Sequence, residues 1–315
     1  MGAAAGAAVE RPRRPLVWRR VRSGSVPYLL VLPVVAVLGA ILAYPIYRLV
    51  RISLEQYTLF QLRTGGIYIG LHNFDSVLHD AIFWHTLLRT VVFTAVCVGA
   101  TIGGGTLIAL LLVRVSGWVR ILVSIGLVLV WAMPPVVAVQ VWNWMTNVQN
   151  GVLNYVLTEL HVGDYFGHNW FQTPFSSLAM AVTLIVWGAL PFVAITLYAA
   201  LSQVPHELVE AAQIDGARGW RVFKDVTLPV LKPILYILTS LSILWDFGVF
   251  TQVYLLIGQP AVVPANYVMG VYLWEEAYIS SDYGRGAAIS ILMLAIVAVM
   301  SVYYVRRMVR VGEVE

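Results

Sequence analysis

The chain has 315 residues, 60% of them hydrophobic and 11% charged, with a formal net charge of +4. Soluble domains carry about 25% charged residues, so a water-facing surface of ordinary size is excluded and lipid must be the main solvent. The single cysteine, Cys97, excludes an intrachain disulfide and a four-cysteine zinc cage.

Residues 1–25 form an Ala/Gly/Arg-rich basic tail with six arginines. The apolar stretch 28–47 is too long for a signal-peptide core and reads as a first span. Five more apolar stretches follow, at 86–113, 119–144, 177–201, 229–257 and 287–304. The expectation is an all-α, multi-pass membrane protein with six transmembrane helices over 26–306 and a short tail, 307–315. Six spans place both termini on one face. Fifteen Lys/Arg lie on that face, among them Arg114, Arg120, Arg218, Arg221, Lys224, Lys232 and Arg306, against five opposite (Arg48, Arg51, Arg63, Arg89 and Arg285). By the positive-inside rule both termini are cytoplasmic. This distribution follows a membrane rather than a nucleic acid.

Trp84, Trp142, Trp144, Trp170 and Trp274 fall near span ends, as interfacial belts require. Five of the six histidines lie in the outer segments, at spacings that match no metal site. In the second span, Gly99-x-x-x-Gly103 and Ala100-x-x-x-Gly104 are small-xxx-small patterns that let helix backbones approach.

One cytoplasmic stretch is unlike a plain connector. From Pro205 the sequence runs His206-Glu207-Leu208-Val209-Glu210-Ala211-Ala212-Gln213-Ile214-Asp215-Gly216. Pro followed by acidic residues starts a helix, apolar residues recur at helical spacing, and Gly216 supplies the positive φ that stops it. A second short helix from about Trp220 leads to Leu228-Pro229. The expected product, over about 205–228, is a helix–turn–helix knob with its apolar residues turned inward.

The string Glu210-Ala211-Ala212, then Gly216, then Val226-x-Leu228-Pro229, resembles the Glu-Ala-Ala loop of permease subunits of binding-protein-dependent ABC importers. The fuller form, with Ile214-Asp215-Gly216-Ala217 and Phe223, is similar to their carbohydrate-uptake branch. Gly70-Leu71-His72-Asn73-Phe74 with Phe83-Trp84 resembles that branch's outer-loop signature, Arg89 standing where Asn is commoner. Leu255-Leu256-Ile257-Gly258-Gln259-Pro260 resembles its Leu-Thr-x-Gly-Gly-Pro with one glycine missing.

The resemblance implies a type I ABC importer permease fold in a bacterial inner or plasma membrane. It implies a coupling helix in which Glu207, Glu210, Ala211, Ala212, Asp215 and Gly216 seat on a separate ATPase. The implied partners are a second permease subunit, a dimer of ATPase subunits and an extracytoplasmic binding protein, with membrane lipid around them and no nucleic acid. The chain contains no G-x-x-x-x-G-K-[ST] run, so ATP and Mg belong to the partner ATPase and no cofactor or metal is expected here.

An acid within a span is a functional candidate because its insertion costs about 2.5–3.5 kcal/mol. Asp246, after Trp245, is the one acid deep in a predicted span. A carboxylate accepts sugar hydroxyls while an aromatic face stacks on the C–H side, and maltose-type relatives carry an aromatic-Asn pair in the similar stretch. Trp187, Phe192, Gln252, Gln140 and Asn143 complete the candidate pathway. Pro191 is expected to bend the fourth span. Gln252 is expected nearly two turns beyond Asp246 on the same helix. The implied substrate is a disaccharide such as trehalose. Glycerol phosphate would call for cations along the path and polyamines for several acids. An ion-coupled carrier would leave the Glu-Ala-Ala loop unexplained, and an enzyme would need a catalytic cluster in the spans.

Overall fold

The computed structural model describes residues 17–258 and 262–312, which divide into two compact units, Met1–Arg51 and Ile52–Glu315. The first unit is helix α1 (Val17–Ser53), which ends two residues inside the second. Its apolar stretch Leu30–Ser53 has 24 residues. At 1.5 Å per residue this is about 36 Å, enough to cross a ~30 Å hydrocarbon core. The helix begins within the stretch assigned to the basic tail; residues 1–16 and 313–315 of the two tails lie outside the described residues.

The second unit opens with a two-stranded antiparallel hairpin, β1 (Glu55–Gln56) and β2 (Ile67–Tyr68), with Glu55 opposite Tyr68. Helices follow in order: α2 (His72–Leu78), α3 (Ala81–Arg114), α4 (Gly117–Trp131), α5 (Pro135–Met145), α6 (Val152–Glu159) and α7 (Pro174–Leu201). Then come α8 (His206–Ile214), α9 (Trp220–Val222), a π-turn (Phe223–Thr227), α10 (Leu228–Phe247), α11 (Thr251–Ile257), α12 (Met269–Trp274), a second π-turn (Glu275–Ile279) and α13 (Tyr283–Gly312). Among the described residues five helical segments are long and apolar enough to span a membrane, and the α4–α5 pair, taken as one span, makes a sixth.

Two of the expected spans are broken. The run 119–144 divides at residues 132–134, and α4 meets α5 at 100°. Pro134 cannot continue the hydrogen-bond ladder of α4, and Pro135 sits at the first turn of α5, where a missing N–H costs nothing. The run 229–257 divides at residues 248–250, so Gln252 belongs to α11 rather than to the helix that carries Asp246. The break packs tightly: a Cβ at Gly270 would lie 2.5 Å from the Val249 carbonyl oxygen. Hydropathy is blind to both breaks because the residues around them stay apolar.

The main interface runs between α3 and α7. A Cβ on Gly105 would lie 2.6 Å from Val193 Cγ1 and 2.9 Å from its Cβ, so this approach requires glycine there, while one on Gly104 would meet only the end of the Leu190 side chain, at 2.8 Å. Gly99 and Gly103 face open space within the chain, so the small-residue seam lies one residue further round the helix than the Gly99/Gly103 pattern suggests. One core gathers Phe93 and Cys97 of α3, Val139 of α5, Ala181 and Leu184 of α7, and Val253 and Leu256 of α11. A second joins Val77, Phe83, Phe247, Met269, Tyr272 and Ile289 near the hairpin. Pro191 lies buried within α7, which remains one continuous helix; lacking an N–H, it leaves the Trp187 carbonyl without its ladder partner.

The outer-loop signature has a physical task. Asn73 Nδ2 donates to the carbonyl oxygens of Ser53 and Glu55, both at 2.9 Å, and so fastens α2 to the start of the hairpin. Gly70 takes φ +61°, a left-handed turn that glycine adopts without strain. Arg89 Nη1 donates to the carbonyl oxygens of Pro264 (3.0 Å) and Tyr267 (2.8 Å), tying α3 to the segment before α12. At the same end Arg285 of α13 pairs with Asp80 and faces Glu276 Oε2 at 3.2 Å, and Tyr272 donates to Asp80 Oδ2 at 3.1 Å. Burial raises the Glu276 carboxyl pKa, opposed by Arg285, and burial also pushes the Tyr272 phenol up to about 12, so Tyr272 stays a neutral donor. Residues 259–261, which include Gln259 and Pro260 of the stretch Leu255–Pro260, lie outside the described residues.

Candidate functional site

A cavity of about 480 Å³ lies where the two helix breaks meet α7. The first break contributes Trp131, Met133 and Pro135, α7 contributes Trp187 and Gly188, and the second break contributes Trp245, Asp246, Phe250 and Gln252. Its position follows from the sequence. Each proline or glycine break ends a helix at mid-length, and the ends cannot close over one another without burying unpaired carbonyls.

Asp246 occupies the last turn of α10 and is 6% exposed. The residue lines the cavity, and its carboxyl group has no hydrogen-bond or salt-bridge partner among the described residues. A buried carboxyl in that state is costly, by several kcal/mol for a group without partners.

Aromatic faces flank the acid. Trp245 is 53% exposed, and its ring lies 5.8 Å from that of Phe192. Phe192 in turn stacks on Trp131 at 5.9 Å and 18°. Trp187 meets Trp142 edge to face at 6.2 Å. Phe192 therefore backs two cavity tryptophans without lining the cavity itself. Four of the seven residues singled out from sequence, Trp187, Trp245, Asp246 and Gln252, line the same cavity. Gln140 is exposed and Asn143 half-buried on α5, and neither lines it. The 100° bend turns α5 away from the direction of α4, so residues that would share a face on a straight helix do not share one here. Sequence reasoning missed Trp131, Met133 and Phe250, each one to three residues from a Pro-Pro pair or from Gly248. Those breakers were the available signal.

The second candidate region is α8. It ends in a Schellman motif: Gly216 at φ +84°, Ala217 N–H to Ala212 O at 2.9 Å, and Gly216 N–H to Gln213 O at 3.0 Å. Glu207, Glu210, Ala211, Asp215 and Gly216 are exposed and Ala212 is half-buried. The expectation of inward-turned apolar residues fails here. Leu208, Ile214 and Trp220 are 48%, 86% and 71% exposed, because α8 and α9 are too short to bury them against one another. From Trp220 the chain continues through the π-turn into α10, one helical segment that ends at Phe247. The 26 residue steps from Trp220 to Asp246 span about 39 Å at 1.5 Å each. One rod thus joins the exposed knob to the buried acid, with a π-turn, a feature frequent at functional sites, at its knob end.

Residues 95–310 match the profile of the family described as binding-protein-dependent transport system inner membrane component. The chain is 39% identical to the diacetylchitobiose uptake system permease protein DasB of Streptomyces coelicolor, over 93% of this chain and 90% of the relative. It is 32% identical to the trehalose/maltose transport system permease protein MalF of Thermococcus litoralis, over 91% of this chain and 95% of the relative. Its fold is similar to a chain in the crystal structure of a bacterial ABC transporter involved in the import of the acidic polysaccharide alginate. That match has a TM-score of 0.76 and 18% identity, over 94% of this chain and 99% of the other.

Proposed function

The chain belongs to the family of inner membrane components of binding-protein-dependent transport systems, and from that premise we propose that it forms half of the translocation pathway of an ATP-driven sugar importer. A separate ATPase dimer, carrying ATP and Mg, docks on α8. A second permease subunit completes the pathway, and an extracytoplasmic binding protein delivers the sugar. Both termini and α8 face the cytoplasm.

The observation that carries the sugar reading is the partnerless Asp246 carboxyl set between exposed aromatic faces in a 480 Å³ cavity. A neutral polyol satisfies it: hydroxyls donate to the carboxylate, C–H faces lie on Trp245, and Gln252 and the free Trp187 carbonyl offer further polar contacts. A single acid is too little for a polyamine, and among the described residues no cation lines the cavity to hold a phosphate.

At the other end of the rod, Glu210 and Asp215 anchor α8 to the ATPase, and Glu207 lies in the first turn, where an acid suits the helix dipole. Ala211, Ala212 and Gly216 keep the backbone close to the partner. Leu208, Ile214 and Trp220 add the apolar contact that the knob cannot make with itself. ATP-driven closure of the ATPase pair moves α8, and the α9–α10 rod carries the displacement to the wall that holds Asp246.

The substrate is a disaccharide, trehalose by the resemblance to trehalose/maltose permeases. Diacetylchitobiose is the second reading, favoured by the 39% identity to DasB. The test is the complete transporter in proteoliposomes with ATP inside and binding protein outside, loaded in turn with trehalose, maltose, diacetylchitobiose, glycerol 3-phosphate or spermidine. Uptake of a disaccharide with concurrent ATP hydrolysis is expected. Uptake of glycerol 3-phosphate or spermidine alone overturns the sugar reading.

A further inference from the structure

The loop between α5 and α7, at the end of α7 opposite α8, is built more firmly than a connector requires. Trp170 Nε1 donates to Asn154 Oδ1 at 2.6 Å, and Asn154, itself buried, donates through Nδ2 to His168 O at 2.9 Å. The Tyr165 and Trp170 rings stack at 5.5 Å and 7°, and His168 meets Trp170 edge-on at 4.6 Å. Asn147 Oδ1 accepts from the backbone N–H groups of Gln149 (2.9 Å) and Asn150 (3.1 Å). A Cβ on Gly151 would lie 2.3 Å from Asn147 O, so that corner closes only around glycine.

This frame holds open a second cavity, of about 290 Å³, bounded by Gln149, Asn150, Tyr155 and Phe166 and sharing no lining residue with the Asp246 cavity. Tyr155 and Phe166 are 57% and 65% exposed. The carboxamides of Gln149 and Asn150 are exposed and have no partner among the described residues. Among the described residues no charged side chain lines the cavity. Aromatic faces beside free amide donors and acceptors, without charge, suit a neutral ring that carries hydroxyls on its edges and C–H bonds on its faces. They suit a phosphate, a carboxylate or an ammonium group poorly. The volume lies at the lower end of ligand pockets and fits one ring rather than two.

We propose that this cavity is a second sugar subsite, which holds a single pyranose ring of the transported sugar on the loop opposite α8. The proposal rests on the sugar reading given above. Tyr155 and Phe166 supply the stacking faces, and Gln149 and Asn150 bond the ring hydroxyls. With one ring and few contacts, the dissociation constant is on the order of 1 mM.

Saturation-transfer NMR on the complete transporter in lipid nanodiscs, with trehalose, maltose and diacetylchitobiose as probes, tests it. Wild type is compared with Asp246→Ala, with Tyr155→Ala/Phe166→Ala and with the milder Gln149→Ala/Asn150→Ala, each checked for unchanged melting. The expected result is a sugar signal that persists in Asp246→Ala and drops at least threefold in both loop variants. A signal lost in Asp246→Ala and intact in the loop variants overturns the subsite and leaves the sugar reading standing. No signal from any probe also overturns the subsite, while uptake in proteoliposomes judges the sugar reading separately. If the loop variants keep the free-sugar signal but lose stimulation by loaded binding protein, the cavity receives a protein side chain, and the proposal fails.

Discussion

The knob at α8 and the cavity around Asp246 lie at opposite ends of one helical rod and are unfinished in opposite ways. The knob exposes apolar side chains, Leu208, Ile214 and Trp220, that a folded chain in water would bury. The cavity buries an acid that a folded chain would expose or pair. On the proposed function each violation is the negative of its occupant: a protein surface with an apolar cleft in one case, a hydroxylated molecule in the other. Stability alone explains neither, and functional sites are where such local rules break.

The largest effect is expected where the exposed apolar surface is greatest. Exposed aromatics in such positions serve as binding hot spots whose truncation costs about 2 kcal/mol. Trp220→Ala should therefore weaken assembly with the ATPase about 30-fold, read by titrating the ATPase against permease complex in nanodiscs, with little change in melting temperature. Unchanged affinity with a lowered melting temperature would make Trp220 a packing residue and erase the contrast with the cavity.

Next comes Asp246. A hydrogen bond to a charged group contributes about 1.5–3 kcal/mol, so Asp246→Ala should lower uptake about tenfold or more at limiting sugar. The same change should leave the melting temperature equal or raised, since a partnerless buried carboxyl stabilises nothing. A marked fall in stability would show that Asp246 holds the fold together rather than the substrate.

The two regions also differed in how far the sequence disclosed them. The knob is local: Pro205, the Glu-Ala-Ala run and Gly216 lie within twelve residues, and the helix and its Schellman stop form where that spacing puts them. What the sequence did not disclose was which way Leu208, Ile214 and Trp220 point, because that depends on how little else lies within reach. The cavity is non-local, assembled from α4, α5, α7, α10 and α11. Asp246, Trp245 and Trp187 were legible because an acid and large aromatics in apolar runs are conspicuous. Gln140 and Asn143 lie outside the cavity lining because Pro134 and Pro135 divide the run 119–144, which hydropathy reads as one straight span. Phe250 was missed for the matching reason at Gly248, where the chain leaves α10.

A smaller effect is expected at Gly216. Its φ of +84° costs a residue with a Cβ roughly 1–2 kcal/mol, so Gly216→Ala should loosen the end of α8 and reduce ATPase-coupled uptake a few-fold, with the Asp246 cavity unaffected. Equal loss of free-sugar binding would mean that the two regions are not separable. The smallest effect belongs to the residues the bend removes from the cavity: Gln140→Ala and Asn143→Ala should each change uptake less than about twofold, as substitutions away from such features do. A tenfold loss from either would place the pathway along α5 and redraw the cavity.

On the proposed function, nucleotide at the ATPase, acting through α8 and the α9–α10 rod, changes access to the cavity. Cys97 is the chain's single cysteine and is buried, so Gln252→Cys in a Cys97→Ser background gives one reporter at the cavity wall. Its rate of labelling by a membrane-impermeant maleimide should be measured in the complete transporter, with and without a non-hydrolysable ATP analogue. Labelling from the side opposite α8 should rise with nucleotide, and Trp220→Ala should abolish this rise at an ATPase concentration that just saturates wild type. Labelling that is indifferent to nucleotide, or that follows an ion gradient instead, would contradict it.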